Sequence, residues 1–335
     1  MPSFSRRTAL KGAGIAATVG LTGLAGCTGN GDDTNGDGPY HLPLGHGLAA
    51  EEPLWLMDAM PELLEYDGEV YDLDLIPFDG NTQRFQAFQA GELEAGTGTA
   101  ISLIFATESG LPMTITGGVA QETADDYSTS FIARPDSDIT GINEESLDGK
   151  TIGICDFRAS CHMWADGAAR QAGLETEVDV ELAQIPFPSM AGAVEEGQVD
   201  MATAAMPFDF VAQAEYDHEI MWTGVDAIGF DHDLIELWFS TFLIEERPDV
   251  VEAFMADYAT ANEYFNENTE EAKEAILDAE FVQTPPEQYL DMPTWGHSVE
   301  PLTESLDQLN QLSVELGWTD DEADLDLLYD LSFLP

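Results

Sequence analysis

The chain has 335 residues, with 65 Asp and Glu against 10 Lys and Arg and a formal net charge of −55. The length predicts about two domains, and the 44% of hydrophobic residues can fill their cores, which excludes a wholly disordered chain. Nucleic acid is excluded as a partner because so acidic a surface repels phosphates. We interpret the evenly spread acids as a halophilic surface, since salt at about 1 M shortens the Debye length to roughly 3 Å.

Residues 1–26 are expected to form a twin-arginine lipoprotein signal. Arg6 and Arg7 open the motif, and the apolar stretch behind them is too short to span a bilayer. The sequence LAGC, ending at Cys27, is similar to a lipobox, whose cysteine is acylated after cleavage. An ordinary signal with a chance cysteine is the alternative. Residues 27–38, rich in Gly, Asn and Asp, predict a flexible tether, which would leave the protein on the extracytoplasmic face of the cell membrane.

Strands and helices alternate in the next segment, which predicts a parallel sheet flanked by helices. The predicted strands are 40–44, 71–77, 93–96 and 112–117, and the predicted helices are 54–64, 83–89 and 101–109. Ligands of such sheets lie beyond the carboxyl ends of the strands. The loops expected there supply the candidate ligand-binding residues His46, Asp79, Asn81, Thr82, Thr97 and Thr99.

A strand at 150–155 and a helix from 161, ended by Gly173, enclose a short polar loop. The free N–H groups and dipole of the helix N-terminus would point at a ligand. The candidate ligand-binding residues there are Arg158, Ser160, Cys161 and His162. Arg158 suits an anion through its bidentate fork. The alternatives are a surface ion pair for Arg158, a helix N-cap for Ser160 and a solvated or hydrogen-bonded ring for His162.

Cys155 and Cys161 are the thiols that remain after lipidation. Outside the cell they can form a disulfide, provided that their Cα atoms lie within about 7 Å. The spacing of Cys and His predicts no metal site, and we expect no cofactor.

Two segments, 87–97 and 193–203, follow one pattern: a helix end, a glycine, an apolar–acidic pair and a loop of small residues. They predict two lobes built on one plan, and a chance match of glycine-rich helix ends is the alternative. Met206 and Pro207 follow a strand of the second lobe, so we expect them at the cleft. Amphipathic helices from Arg247 onward should pack on the first lobe.

The chain resembles the extracytoplasmic solute-binding proteins of ABC importers for nitrate, sulfonates, taurine and thiamine-precursor pyrimidines. The residues that carry this resemblance are FQAFQAGELEAGTGT at 85–99, LDGKTIGI at 147–154, GQVD at 197–200, FLIEERPDVVEAF at 242–254 and DLLYDLSFL at 326–334. The resemblance implies a two-lobed type II periplasmic-binding-protein fold, in which each lobe is a mainly parallel sheet flanked by helices.

The same resemblance divides the chain into lobe 1, residues 39–130 and 240–335, and lobe 2, residues 131–239. Two hinge strands would join the lobes, at about 130–134 and 238–244, and Trp238 near the second hinge is expected in the cleft.

The function implied is capture of a small anionic or zwitterionic solute, similar to a sulfonate, taurine or nitrate, by a monomer that delivers it to ABC permease subunits. A thiamine-precursor pyrimidine or another aromatic solute is the first alternative, and the many acids leave a cationic ligand open. We do not expect an enzyme, although a pyrimidine-synthase-like enzyme on the same fold is a further alternative. A surface sensor or adhesion protein with a vestigial cleft is the last alternative function.

Overall fold

The computed structural model describes residues 38–282 and 284–335. The twin-arginine motif, Cys27 and the tether up to residue 37 lie outside the described residues, so their roles stay predictions. No helix in the described part of the chain combines the length and the apolar character needed to cross a membrane.

The described residues form two five-stranded sheets. Sheet 1 contains β1 (Tyr40–His46), β2 (Tyr71–Pro77), β3 (Ala95–Thr99), β4 (Met113–Glu122) and β10 (His232–Ser240). Sheet 2 contains β5 (Ser130–Ala133), β6 (Thr151–Ile154), β7 (Glu181–Gln184), β8 (Met201–Ala204) and β9 (Glu219–Thr223). We call the parts of the chain packed around these sheets lobe 1 and lobe 2.

The helices flank the sheets. In lobe 1 they are α1 (Glu52–Ala59), α2 (Asn81–Gln89), α3 (Ala100–Glu108), α9 (Thr241–Glu246), α10 (Pro248–Glu267), α11 (Thr269–Asp278), α12 (Pro286–Asp291), α13 (Thr303–Glu315) and α14 (Leu325–Leu328). In lobe 2 they are α4 (Glu144–Leu147), α5 (Ser160–Gln171), α6 (Phe187–Glu195), α7 (Phe208–Tyr216) and α8 (Gly224–Ile228). Short 3₁₀ helices cover Pro61–Leu63 and Leu331–Phe333.

The two sheets share one topology. Sheet 1 has the order β2-β1-β3-β10-β4, with β1 parallel to β2 and β3, and β10 antiparallel to β3 and β4. Sheet 2 has the order β7-β6-β8-β5-β9, with β6 parallel to β7 and β8, and β5 antiparallel to β8 and β9. The prediction of two lobes built on one plan is therefore confirmed.

The repeated sequence pattern has a structural cause. Gly91 (φ 75°) follows the end of α2 and Gly197 (φ 68°) follows the end of α6, each just before the third strand of its sheet. A positive φ is easily adopted by glycine, which ends the helix and turns the chain back toward the sheet.

The strand predictions are more accurate than the prediction of where the chain passes from one lobe to the other. The chain leaves sheet 1 after Glu122 and returns at His232. β10 lies in sheet 1, although residues up to 239 are predicted to belong to lobe 2. The expected hinge segment at 130–134 lies mostly in β5, and the one at 238–244 covers the end of β10 and the start of α9. The segments that connect the lobes are instead 123–129 and 229–231.

One predicted helix is also interrupted. The segment 54–64 forms α1 up to Ala59 and then a separate 3₁₀ turn that begins at Pro61. Proline has no N–H to continue the helical hydrogen bonds, and its ring clashes with the preceding turn.

Candidate functional site

A cavity of about 80 Å³ lies between the two sheets. Its walls come mainly from loops that follow the carboxyl ends of parallel strands, where open α/β sheets bind their ligands. The lining residues are Gly47, Leu48, Ala49, Ala50, Glu51, Phe78, Asp79, Gly80, Asn81, Arg84, Thr99, Thr129, Cys155, Asp156, Ser160, Cys161, Trp164, Phe187, Ala205, Leu234, Ile235 and Trp295. The volume is small beside the roughly 300–1,000 Å³ of typical ligand pockets, so the lobes are closed around a space for a small solute.

The start of α5 forms one wall of the cavity. Ala159, not Ser160, is the N-cap, and it makes no side-chain hydrogen bond to the helix. Ser160 is the first helical residue, and its buried Oγ has no hydrogen-bond partner. The structure joins Cys155 to Cys161, with 6.0 Å between their Cα atoms, so the loop before the helix is closed on itself.

A buried polar network supports the opposite wall. Arg84 donates through Nη1 to Thr97 Oγ1 (2.6 Å) and to the Thr97 carbonyl. Thr97 Oγ1 in turn donates to the Glu51 carboxylate (2.9 Å), which also accepts the Gly47 N–H (2.8 Å). Arg84 Nη1 and Glu51 Oε1 lie 3.9 Å apart, and Arg84 Nε has no hydrogen-bond partner.

Burial is the largest influence on the pKa values of the two charged groups in this network. It raises the pKa of the Glu51 carboxyl, and the neighbouring Arg84 guanidinium opposes the shift. Burial also lowers the pKa of Arg84, and Glu51 opposes that change. Because arginine remains protonated in proteins, we assign an ionised pair, in which each charge depends on the other.

The Asp156 carboxylate of lobe 2 forms hydrogen bonds with lobe 1. It accepts hydrogen bonds from Thr82 N (3.1 Å) and Thr82 Oγ1 (3.0 Å) in the first turn of α2. On its own side Gln184 Nε2 donates to Asp156 Oδ1 (3.0 Å). Asp156 is only 5% exposed whereas Thr82 is exposed, so this contact lies at the edge of the cleft.

Aromatic rings make up much of the remaining surface. Phe78, Trp164, Phe187 and Trp295 line the cavity from both lobes. Trp164 Nε1 donates to His232 (3.1 Å), and Trp295 Nε1 lies 3.4 Å from Glu122 Oε1. Since both indole N–H groups have partners within the protein, the rings offer apolar surface to a solute.

Five of the residues predicted from the sequence line the cavity: Asp79, Asn81, Thr99, Ser160 and Cys161. Asn81 Nδ2 donates to Ser102 Oγ (3.1 Å), which fixes the side chain at the start of α2. The structure therefore brings together predicted residues from both lobes, although they are far apart in the sequence.

Arg158 and His162 are not among the lining residues. Arg158 has a left-handed backbone (φ 57°), is exposed, and lies with its guanidinium 5.1 Å from the centre of the Phe105 ring. The His162 ring stacks on Trp318 at 4.4 Å. The tight turn into α5 directs both side chains to the outer seam between the lobes, so Arg158 is not an anion clamp in this closed cleft.

Three further predicted residues lie behind the lobe 1 wall or at its edge. The His46 ring packs against Trp55 and Phe281, and only the following Gly47 reaches the cavity. Thr97 is fully buried in the Arg84 network. Thr82 contacts Asp156 and not the cavity.

Trp238, Met206 and Pro207 are core residues, contrary to the expectation that they line the cleft. Trp238 is fully buried, packs against Phe88 at 4.8 Å, and fills the space that Gly96 leaves by lacking a side chain. Met206 and Pro207 are buried in the turn into α7. Among the residues at the end of this strand it is Ala205 that lines the cavity.

Glu51, Arg84, Asp156 and the aromatic wall are not among the site residues predicted from the sequence. Arg84 carried a usable signal, because it is one of very few basic residues and stands at a helical position beside apolar Phe85 and Ala87. Trp295 carried none, since it lies in an irregular segment almost 200 residues beyond the other lobe 1 loops. No group of three or more His, Cys, Asp or Glu side chains in the described ranges is placed to hold a metal ion.

Solved structures share this fold. A ligand-binding component of an ABC-type import system from Staphylococcus aureus matches with a TM-score of 0.72 and 13% identity, covering 88% of this chain and 97% of the other. The periplasmic aliphatic sulphonate-binding protein SsuA of Escherichia coli matches with a TM-score of 0.69 and 17% identity, covering 87% and 97%. The desulfurization enzyme DSZB matches with a TM-score of 0.60 and 14% identity, covering 88% and 97%. At these identities the likeness shows a common architecture, the two-lobed periplasmic-binding-protein fold.

No protein with a curated function matches the sequence. A family profile described as NMT1/THI5 like matches residues 66–272, which is more than half of the 335 residues. The match runs from the loop before β2 to α11 and includes all of sheet 2. The chain belongs to the NMT1/THI5-like family.

Proposed function

We propose that this protein captures a small solute between its lobes and delivers it to the permease subunits of an ABC importer. The observation that carries the proposal is a cavity enclosed by both lobes, whose lining residues Ser160 and Arg84 each hold a buried polar atom without a partner. Leaving such an atom unpaired costs about 1–3 kcal/mol. A solute with hydrogen-bond acceptors would offset that cost.

The wall favours a solute that is not simply an anion. Glu51, Asp79 and Asp156 line the cavity against one basic residue, Arg84, whose charge Glu51 already neutralises. The N-terminus of α5, with Ser160, provides one place for an acceptor or anionic group. We therefore propose a zwitterionic, uncharged or cationic solute with one acceptor end.

The aromatic rings of the cavity support a flat or apolar solute body. Trp164 and Trp295 approach the cavity from different lobes and have their N–H groups engaged elsewhere. An aromatic heterocycle fits this chemistry, and a compact zwitterion similar to taurine is the second candidate. The sulphonate ligand named for the E. coli protein supports the second candidate, because it establishes that this architecture can hold such a group.

An enzyme is the alternative from another class, since the desulfurization enzyme shares the architecture. Ser160 and Cys161 are the candidate nucleophiles at the start of α5, and neither is activated in the described structure. Ser160 Oγ has no hydrogen-bonded base, and the Cys161 sulfur is bonded to Cys155. Because an enzymatic nucleophile needs an adjacent base or a free thiolate, the start of α5 supports binding over catalysis.

The proposal includes a lipid anchor at Cys27 after twin-arginine export, and a monomer on the outer face of the membrane. Its support is the order of the motifs in residues 1–38. A halophilic surface is proposed from the net charge of −55.

The test is to purify the protein in molar KCl, denature it, and identify released small molecules by mass spectrometry. We expect a stoichiometric solute from the wild type and from Ser109→Ala, an exposed serine of lobe 1. Ser160→Ala should retain at least tenfold less. Equal retention by Ser160→Ala, or no released solute together with no binding of a zwitterion and heterocycle panel by calorimetry, would contradict the proposal.

A further inference from the structure

Helix α2 begins without a side-chain cap from its own lobe. Its N-cap is Gly80, which has no side chain, and the residues of the first turn use their side chains elsewhere: Asn81 donates to Thr99 and Ser102. The first N–H groups of any α-helix lack partners within the helix and carry the positive end of its dipole. An uncapped start beside a cavity is therefore open to a negatively charged group.

The group found there is the Asp156 carboxylate of lobe 2. It accepts from Thr82 N and from Thr82 Oγ1, at 3.1 and 3.0 Å. Gln184 steadies Asp156 from its own lobe, and no Lys, Arg or His of the described residues forms an ion pair with it. The helix start of α2 is thus the main electropositive partner of this buried carboxylate.

The fit is close on the lobe 1 side. A Cβ atom built on Gly80 would lie 3.1 Å from Asp156 Oδ2, nearer than an ordinary van der Waals contact. Gly80 has an extended backbone (φ −168°) that any residue can adopt. A side chain at this position would therefore be limited by contact with the Asp156 carboxylate and not by backbone strain.

We propose that Asp156 is a specificity-determining residue. Its carboxylate takes the place at the start of α2 where an anionic group of a solute would bind, and the same contact holds the lobes together. The part that concerns solutes rests on the proposed function. Simple anions are repelled from the lobe 1 side of the cavity, and a solute-free protein already populates the closed state.

The first test measures lobe closure without any solute. Spin labels at the exposed positions Gln89 of lobe 1 and Val178 of lobe 2 report the distance between the lobes by pulsed electron resonance. In the wild type we expect mainly the short, closed distance. Asp156→Ala should raise the ratio of open to closed protein about tenfold, the effect of losing a helix cap.

Asp200→Ala is the matched control for this test. Asp200 also accepts a backbone N–H, from Thr151 (2.9 Å), but both residues belong to lobe 2. It should leave the lobe distance unchanged. Thr82→Ala removes a donor from the lobe 1 side and should open the lobes in the same direction. The double variant of Thr82 and Asp156 should add little to Asp156→Ala, because both changes remove one contact.

The second test titrates methanesulfonate into the wild type and Asp156→Ala by calorimetry in the same molar KCl. We expect the variant to bind this anion at least tenfold more tightly. An unchanged lobe distance in both Asp156→Ala and Thr82→Ala, or an affinity for methanesulfonate that is the same in Asp156→Ala as in the wild type, overturns the proposal. If the variant opens and gains the anion while the wild type binds no solute at all, the proposed transport function fails and the role of Asp156 stands.

Discussion

Two loops at equivalent places in the two lobes make a direct comparison. One follows β1 and leads into α1 through Glu51, and the other follows β6 and leads into α5 through Asp156. Both carboxylates are buried and both line the cavity. Glu51 is bound by Gly47, Thr97 and Arg84, all within lobe 1, whereas Asp156 is bound across the cleft by Thr82.

The difference shows how one topology can serve two purposes. The contacts of Glu51 persist whether the lobes are open or closed, so they stabilise lobe 1. Those of Asp156 to Thr82 exist only in the closed state, so they stabilise closure. Changes at the two loops should therefore affect different measurements: the free energy of unfolding for the first loop, and lobe distance or solute selection for the second.

The largest expected effect comes from removing the partner of Glu51. Arg84→Met leaves a buried carboxylate without its cation, which typically costs about 3–5 kcal/mol. Denaturant unfolding in molar KCl measures the loss. Adding Glu51→Gln should recover much of it, because the orphaned charge is removed.

Arg247→Met is the control for this prediction. Arg247 forms an exposed ion pair with Asp249 (2.9 Å), and such pairs contribute at most about 1 kcal/mol. If Arg84→Met costs no more than Arg247→Met, the first loop does not depend on its buried ion pair.

Lowering the pH should reduce the free energy of unfolding, because His46, next to the first loop, is buried as a neutral ring. Burial lowers the pKa of this imidazole to about 4, below its ordinary 6.5. The neutral ring is thus favoured in the folded state, so its contribution is fully present above pH 6.5 and is lost as the pH falls toward 4. Each unit of difference between the folded and unfolded pKa contributes roughly 1.4 kcal/mol, so the free energy of unfolding falls by roughly 3 kcal/mol.

His46→Gln should flatten the pH dependence of the unfolding free energy between pH 6.5 and 4 by about that amount. His41, in the same strand, has an exposed side chain, and His41→Gln serves as the control. Parallel pH profiles for the wild type and His46→Gln would show that the ring is not held neutral.

The smallest of these effects concerns the loop closed by Cys155 and Cys161. Replacing both with serine should cost about 2 kcal/mol, the chain entropy of a ring this short. It should also weaken solute retention, because Ser160 is directly adjacent to the bridge. Thermal unfolding and alkylation mass shifts check this. Alkylation of both cysteines without reductant would show that the bridge does not form.

Local structure was largely predictable from the sequence. The period of β2, the glycines after α2 and α6, and Pro248 at the start of α10 each act through neighbouring backbone, which a short stretch of sequence contains. The loops beyond the strand ends also identified Asp79, Asn81, Thr99, Ser160 and Cys161 as cavity residues.

What the sequence did not predict depends on the direction of side chains and on distant partners. Arg158 lies in the expected loop, but its left-handed turn faces the outer seam. Trp238 is accommodated by Gly96, in a strand more than 100 residues away. The contact between Asp156 and Thr82 spans 74 residues and two lobes. None of these relations has a period or a motif.

The most direct test of the account is a crystal structure of the protein with the solute released from it. We expect electron density for the solute between Trp164 and Trp295, with an acceptor atom within hydrogen-bond distance of Ser160 Oγ. Density for the solute at any other place on the protein, with saturating solute present, would contradict it.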